Sequence, residues 1–127
     1  MDARMQHIRI GTRNSPLAIT QAHEAIDRLH KVLPEAEFEL IEISTIGDRD
    51  LNTDLASDAV PDDFFTRDID RAHLEGRIDL SIHSAKDLPG DLHADLRVAA
   101  LLSAADIRDA WLIRPDLGDA PAKTIGT

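Results

Sequence analysis

His83-Ser84-Ala85-Lys86-Asp87 places an imidazole, a hydroxyl, an ammonium and a carboxylate within five positions. Asp87 at an opening could stabilise a developing cation or shuttle a proton. Lys86 could hold an anion beside it. The two are neighbours, and in a strand or turn they point different ways, so they need not neutralise each other. A plain polar turn ahead of Pro89-Gly90 is the competing reading. Upstream, Arg13-Asn14-Ser15-Pro16 sets a guanidinium just before a helix start. A helix N-terminus offers unpaired N–H groups and partial positive charge, so Arg13 and Ser15 together could grip a carboxylate or phosphate. The alternative is a solvated arginine beside an ordinary Ser-Pro cap. His83 continues the alternation of Ile82 and reads as a packed histidine rather than a catalyst. His23 and His30 are a helical seven apart with no evident carboxylate partner, so no metal site is expected. Neither a phosphate-cradling glycine motif nor G-x-S-x-G occurs.

These residues need elements to position them. Residues 7–11 alternate, with Ile8 and Ile10 on one face, and predict a strand. Ser15 can cap a helix and Pro16 suits its first position. Ala18, Ala22, Ala25, Ile26, Leu29 and Leu33 follow at helical spacing, and Pro34 ends the run. Residues 38–43 predict a second strand, apolar on both faces and therefore central. Residues 44–63 lack a clean period and read as a long loop, a kind of segment that is often functional. Asp62 or Asp63 can cap a second helix with an apolar stripe of Phe65, Ile69 and Ala72, ending near Gly76. Strands are predicted over 78–82, 96–102 and 110–113, with a short segment at 123–125.

The order β-α-β-loop-α-β-β-β predicts an α/β fold: a mostly parallel, mixed sheet with helices on both faces. Ligands of such sheets bind beyond the carboxyl ends of the strands. Residues 11–15, 44–48 and 83–87 all sit there, and their convergence is a site hypothesis.

Composition limits the partners. The net charge of −10 disfavours nucleic acid and anionic membranes. No apolar run reaches membrane-spanning length, and residues 1–6 lack the apolar core of a signal peptide. Cysteine is absent, which excludes disulfides, thiolate metal sites and a cysteine nucleophile within these residues. A cytoplasmic protein is expected. Because the surface is acidic, any anion site has to be local.

The strand-end segments resemble the porphobilinogen deaminases, also called hydroxymethylbilane synthases. The matching pieces are IRIGTRNSPLAITQA (8–22), TIGD (45–48), FFTRDID (64–70), GRIDLSIHSAKDLP (76–89) and IRDAWL (107–112). G-T-R-x-S-P-L-A followed ~70 residues later by H-S-x-K-D-x-P is a specific pair of signatures. The resemblance implies a transferase of haem and tetrapyrrole biosynthesis. Such enzymes join four porphobilinogen molecules into hydroxymethylbilane, releasing ammonia each time, on a dipyrromethane primer held by a cysteine thioether. It implies a lobe like those of periplasmic binding proteins. Asp87 is then the catalytic carboxylate and Lys86 binds primer carboxylates. Arg13 and Ser15 hold acetate or propionate arms, and Ser84 and Thr127 complete the implied substrate- and cofactor-binding set.

Departures from the family accompany these matches. The family's G-G-K-G-L-F loop is here Ala59-Val60-Pro61-Asp62-Asp63-Phe64-Phe65, without the glycines and the lysine. TIGT (124–127) resembles the start of the family's G-T-S-S-L-R-R segment. Residues 1–104 are thus expected to form a first domain, and 105–127 the crossover into an incomplete second. Without a cysteine this chain is expected to be inactive alone, either as the N-terminal part of a longer enzyme or as a non-catalytic paralogue binding a small anion or a partner. Self-association through sheet edges left uncovered is a further expectation.

Overall fold

A computed structural model describes residues 6–55, 60–103 and 108. The first strand, β1 (His7–Arg13), includes the expected 7–11, but its burial does not alternate: Ile10, Gly11 and Thr12 are buried in succession, as in a strand covered on both faces. Ile10 and Thr12 are fully buried on one face. Ser15 then caps α1 (Pro16–Val32): its Oγ accepts the Ala18 N–H at 3.3 Å, and Pro16 fills the first position. Pro34 cannot continue a helix and disfavours helical geometry before it. Leu33 accordingly becomes the C-cap, its N–H donating to the Leu29 carbonyl at 2.8 Å. Ala22 and Ala25 are buried, so α1 meets the sheet through small side chains.

β2 (Glu37–Ile43) runs parallel to β1 with Ile10 opposite Leu40 and Gly11 opposite Ile41. Its two apolar faces are both used. The His30 ring of α1 meets Phe38 edge-on at 4.7 Å. Ile41 and Ile43 pack on the opposite side against Ile69, Ala72 and Ile78. The expectation that β2 is central is nevertheless wrong among the described strands, whose order is β2-β1-β3. Helices on both faces make a strand apolar on both faces even at a sheet edge.

Residues 44–63 are not one long loop. Thr45 opens a short helix, α2 (Ile46–Arg49), through a reciprocal cap: its Oγ1 accepts the Asp48 N–H, and the Asp48 carboxylate accepts the Thr45 N–H. The next helix, α3 (Arg67–Leu74), starts later than expected. Neither Asp62 nor Asp63 caps it. Turns intervene, and the Asp63 carbonyl accepts the N–H groups of Thr66 and Arg67. Phe65 therefore lies ahead of the helix, outside its stripe, whereas Ile69 and Ala72 are fully buried as expected.

Gly76 ends α3 at φ 69°, the left-handed region where glycine has no steric cost. The Gly76 N–H donates to His73 O and the Arg77 N–H to Ala72 O, a two-bond C-terminal cap.

β3 (Leu80–Ser81) is shorter than the expected 78–82, although Asp79 N–H to Arg9 O and Ile82 N–H to Gly11 O extend its parallel contact with β1. All described strand pairs are parallel, and the architecture is α/β. The strand expected over 96–102 does not form. Among the described residues they pair with no strand, and Val98, Leu101 and Leu102 are exposed. An apolar run alone does not make a strand without a neighbouring ladder. The segments expected at 110–113 and 123–125, the domain boundary at 104/105 and Thr127 lie outside the described residues.

Candidate functional site

Because all three strands run the same way, the residues that follow them meet at one end of the sheet. Arg13 and Ser15 leave β1, Thr45 and Asp48 follow β2, and Ser84, Lys86 and Asp87 follow β3 on a 3-10 turn, Ala85–Asp87. The turn closes with the Asp87 N–H donating to Ser84 O at 3.0 Å.

Arg13 is the hub. Its Nη1 donates to Asp87 Oδ2 at 3.1 Å, its Nη2 to Asp48 Oδ1 at 2.6 Å, and its Nε to both Asp48 oxygens at 3.1 and 3.3 Å. The guanidinium carbon lies 4.2 Å from the centre of the Phe65 ring. The Arg13, Asp48 and Asp87 side chains are only 19%, 10% and 12% exposed, so these ion pairs are partly shielded from water. Hydrogen bonding to Asp48 raises the Arg13 pKa above its already high ordinary value, so the cation is permanent. Burial pushes the Asp48 carboxyl up, but hydrogen bonds from Arg13 and Thr45 outweigh it and hold the group below its ordinary value.

Beside this triad lies a small cleft of about 50 Å³, lined by Arg13, Ser15, Ser84, Lys86, Asp87 and His83 among others. Its donors differ in readiness. Lys86 is exposed. Ser15 Oγ already accepts the Ala18 N–H, which leaves its hydroxyl proton as a donor. Ser84 Oγ–H donates to Gln21 Oε1 at 2.6 Å, tying the turn to α1. Burial lowers the His83 pKa below its ordinary value against the pull of Asp70 and Asp87, so the ring is neutral at neutral pH.

Five of the six residues singled out from sequence thus line one cleft: Arg13, Ser15, Ser84, Lys86 and Asp87. Thr127, the sixth, is outside the described residues. Sequence reasoning missed Asp48 and Phe65 as Arg13's partners. The T-x-x-D spacing of Thr45 and Asp48 signals the cap, but nothing local signals Arg13. Asp68 was also missed. It is 8% exposed and accepts from Ile46 N–H at 2.9 Å, Arg71 at 2.8 Å and Arg49 at 3.2 Å, anchoring α2 to α3.

A larger depression of about 670 Å³ lies between α3 and residues 89–93. None of the singled-out residues lines it, and its Arg67 and Arg71 are paired with Asp63 and Asp68. The charge arrangement at the strand ends, rather than size, marks the candidate site. Among the described residues no group of three or more potential ligands could hold a metal ion, and no helix is long and apolar enough to cross a membrane.

Residues 8–127 match the family described as porphobilinogen deaminase, dipyromethane cofactor binding domain. The chain is 40% identical over 129 residues to the chloroplastic porphobilinogen deaminase of Oryza sativa subsp. japonica, covering 97% of this chain and 36% of that protein. It is 39% identical to the porphobilinogen deaminase of Syntrophomonas wolfei, covering 97% and 41%, and 41% identical to the chloroplastic enzyme of Pisum sativum, covering 94% and 34%. The chain thus spans little more than a third of the length of these curated relatives.

Proposed function

The chain belongs to the porphobilinogen deaminase family, and on that premise we propose that it forms the lobe presenting Asp87 to the reacting pyrrole of a hydroxymethylbilane synthase. The observation that carries this reading is the largely buried Asp87 carboxylate, held by Arg13 at 3.1 Å beside a cleft that Lys86 also lines. In the proposed reaction, ammonia leaves porphobilinogen with the electron pair of its C–N bond, and the pyrrole becomes cationic. A carboxylate fixed near the ring N–H stabilises that charge without reorganising. Asp87 can then take a proton as the next pyrrole attacks and return it later. Arg13, Lys86 and the Ser15 hydroxyl serve the acetate and propionate arms. A charge-assisted fork on a carboxylate contributes roughly 1.5–3 kcal/mol.

The matched domain is the one that binds the dipyrromethane cofactor. A guanidinium, an ammonium and hydroxyls at one strand end suit a polycarboxylated group, and Arg13, Ser15, Ser84 and Lys86 would hold it. When bound, dipyrromethane supplies the primer pyrrole on which the product grows. These 127 residues contain no cysteine for its thioether, so that link has to come from elsewhere, and the 127-residue chain alone is expected to make no product.

The test is porphobilinogen consumption by the protein as its gene encodes it. Asp87→Asn should lower kcat by at least ~10²-fold, the usual range for a general acid–base group. Near-normal turnover contradicts the role of Asp87. A second reading, a non-catalytic module for small anions or a partner, is favoured by Asp62 and Asp63 standing where the family has glycines and a lysine. Carboxylate binding without turnover in the unsubstituted protein would select it.

A further inference from the structure

The fork of Arg13 that a ligand carboxylate would use is already filled from within the chain. Asp48 Oδ1 accepts from Nε at 3.1 Å and from Nη2 at 2.6 Å. Its other oxygen, Oδ2, accepts from Thr45 Oγ1 at 2.7 Å and from the Thr45 N–H at 3.2 Å. Phe65 covers one face of the guanidinium. Asp87 holds Nη1. An incoming carboxylate can take the Nε/Nη2 edge of Arg13 only by displacing Asp48, and the remaining Nη1/Nη2 edge is contested at Nη1 by Asp87, the carboxylate the proposed reaction keeps in place.

We propose that Asp48 is an internal competitor for Arg13 that a ligand carboxylate must replace to take its Nε/Nη2 edge. This rests on the reading of Arg13 as a carboxylate-binding residue of the candidate site. A single carboxylate gains little, since it exchanges one ion pair for another. A two-armed carboxylate gains more, because its second arm can reach Lys86 on the same cleft. Asp48 thus places a cost on any carboxylate at Arg13, which a second arm on Lys86 offsets.

Exchange also has a mechanical consequence. Asp48 belongs to α2, and α2 is tied to the phenylalanine pair through Gly47 N–H to Phe64 O at 3.1 Å. Releasing Asp48 moves the segment that carries Phe65.

The experiment is calorimetric titration of the protein with porphobilinogen, a dicarboxylate. Asp48→Asn keeps an oxygen to accept from Thr45 and loses the competing charge. It should bind porphobilinogen about tenfold more tightly, a gain that loss of a merely structural contact would not produce. Arg13→Ala should bind about tenfold more weakly. Unchanged or weaker binding in Asp48→Asn, with binding lost in Arg13→Ala, overturns the proposal and leaves the role of Arg13 standing. Unchanged binding in Arg13→Ala overturns the underlying reading instead, as does absence of binding by both the unsubstituted protein and Asp48→Asn. If Asp48→Asn does not fold, carboxyl and ring resonances in the unsubstituted protein decide. Asp48 and Phe65 signals should shift on saturation with porphobilinogen, and signals that stay in place while it binds overturn the exchange.

Discussion

At the scale of single residues, Arg13 carries two carboxylates and an aromatic ring at once. Arginine suits this work because its planar fork presents several fixed donors and its face stacks on a ring. Removing the charge would leave Asp48 and Asp87, both close to one-tenth exposed, without their common cation. Arg13→Met is therefore expected to destabilise the protein by about 1–3 kcal/mol, read as a lower denaturation midpoint. The Asp48 carboxyl should titrate at higher pH in the same variant, because Arg13 is a principal cause of its lowered pKa. An unchanged midpoint would mean that solvent already screens the pair. From sequence, Arg13, Lys86 and Asp87 each stand out as charges at a strand end. The sequence does not indicate that Arg13 faces Asp48 and Asp87, which are 35 and 74 positions away.

At the scale of elements, α2 is the piece that brings Asp48 to Arg13. Its four residues could not persist alone, since helix nucleation is costly. Thr45 and Asp48 cap each other, Asp68 accepts the Ile46 N–H, and Gly47 lies flat against the phenylalanines. A Cβ at Gly47 would fall 2.3 Å from a Phe65 ring carbon and 2.9 Å from a Phe64 ring carbon. Gly47→Ala should thus push Phe65 from beneath Arg13 and destabilise the protein by about 1–3 kcal/mol, the range for overpacking. Thermal melting checks the magnitude, and altered Phe65 ring resonances check the cause. A neutral Gly47→Ala would show that Phe65 relocates without cost. The capped start of α1 and the glycine end of α3 follow short-range rules and are legible locally; α2 falls inside 44–63, expected as a loop, although its T-x-x-D cap carries a local signal. The late start of α3 was not legible in this way. Two aspartates qualified as caps, and only the turn through 61–66 decided that neither is used.

At the scale of the whole molecule, the parallel sheet gathers three strand ends, where Arg13 and Lys86 lie together with the carboxylates of Asp48 and Asp87. Stability should depend on pH in two steps. His83 has a folded pKa lowered by burial, so the unfolded chain binds its proton first, and stability falls as pH drops below the ordinary histidine value near 6.5. Asp79 is held down to about 2 by hydrogen bonds from Arg9, and Asp48 is lowered as well. Their contribution is present above the ordinary carboxylate pKa, 3.8, and is lost as pH falls toward 2. The Asp79 share is small because the pair is largely solvated. Denaturant melts between pH 8 and 2, in salt sufficient to screen the net charge, should resolve both steps. His83→Gln should remove the upper one, and a fall that persists in this variant would assign the step to another group.

The sequence by itself determined the α/β alternation, the cap at Ser15 and Pro16, the glycine end of α3 and the polar strand ends, because periodicity and near-neighbour hydrogen bonds depend on residues a few positions apart. Only the tertiary structure decided that β1 rather than β2 is central among the described strands, that 96–102 pairs with none of them and that Arg13 is shared by Asp48 and Asp87. Those outcomes depend on where distant segments return in space. Many acids were available to Arg13 in this chain, and charge type alone does not choose among them.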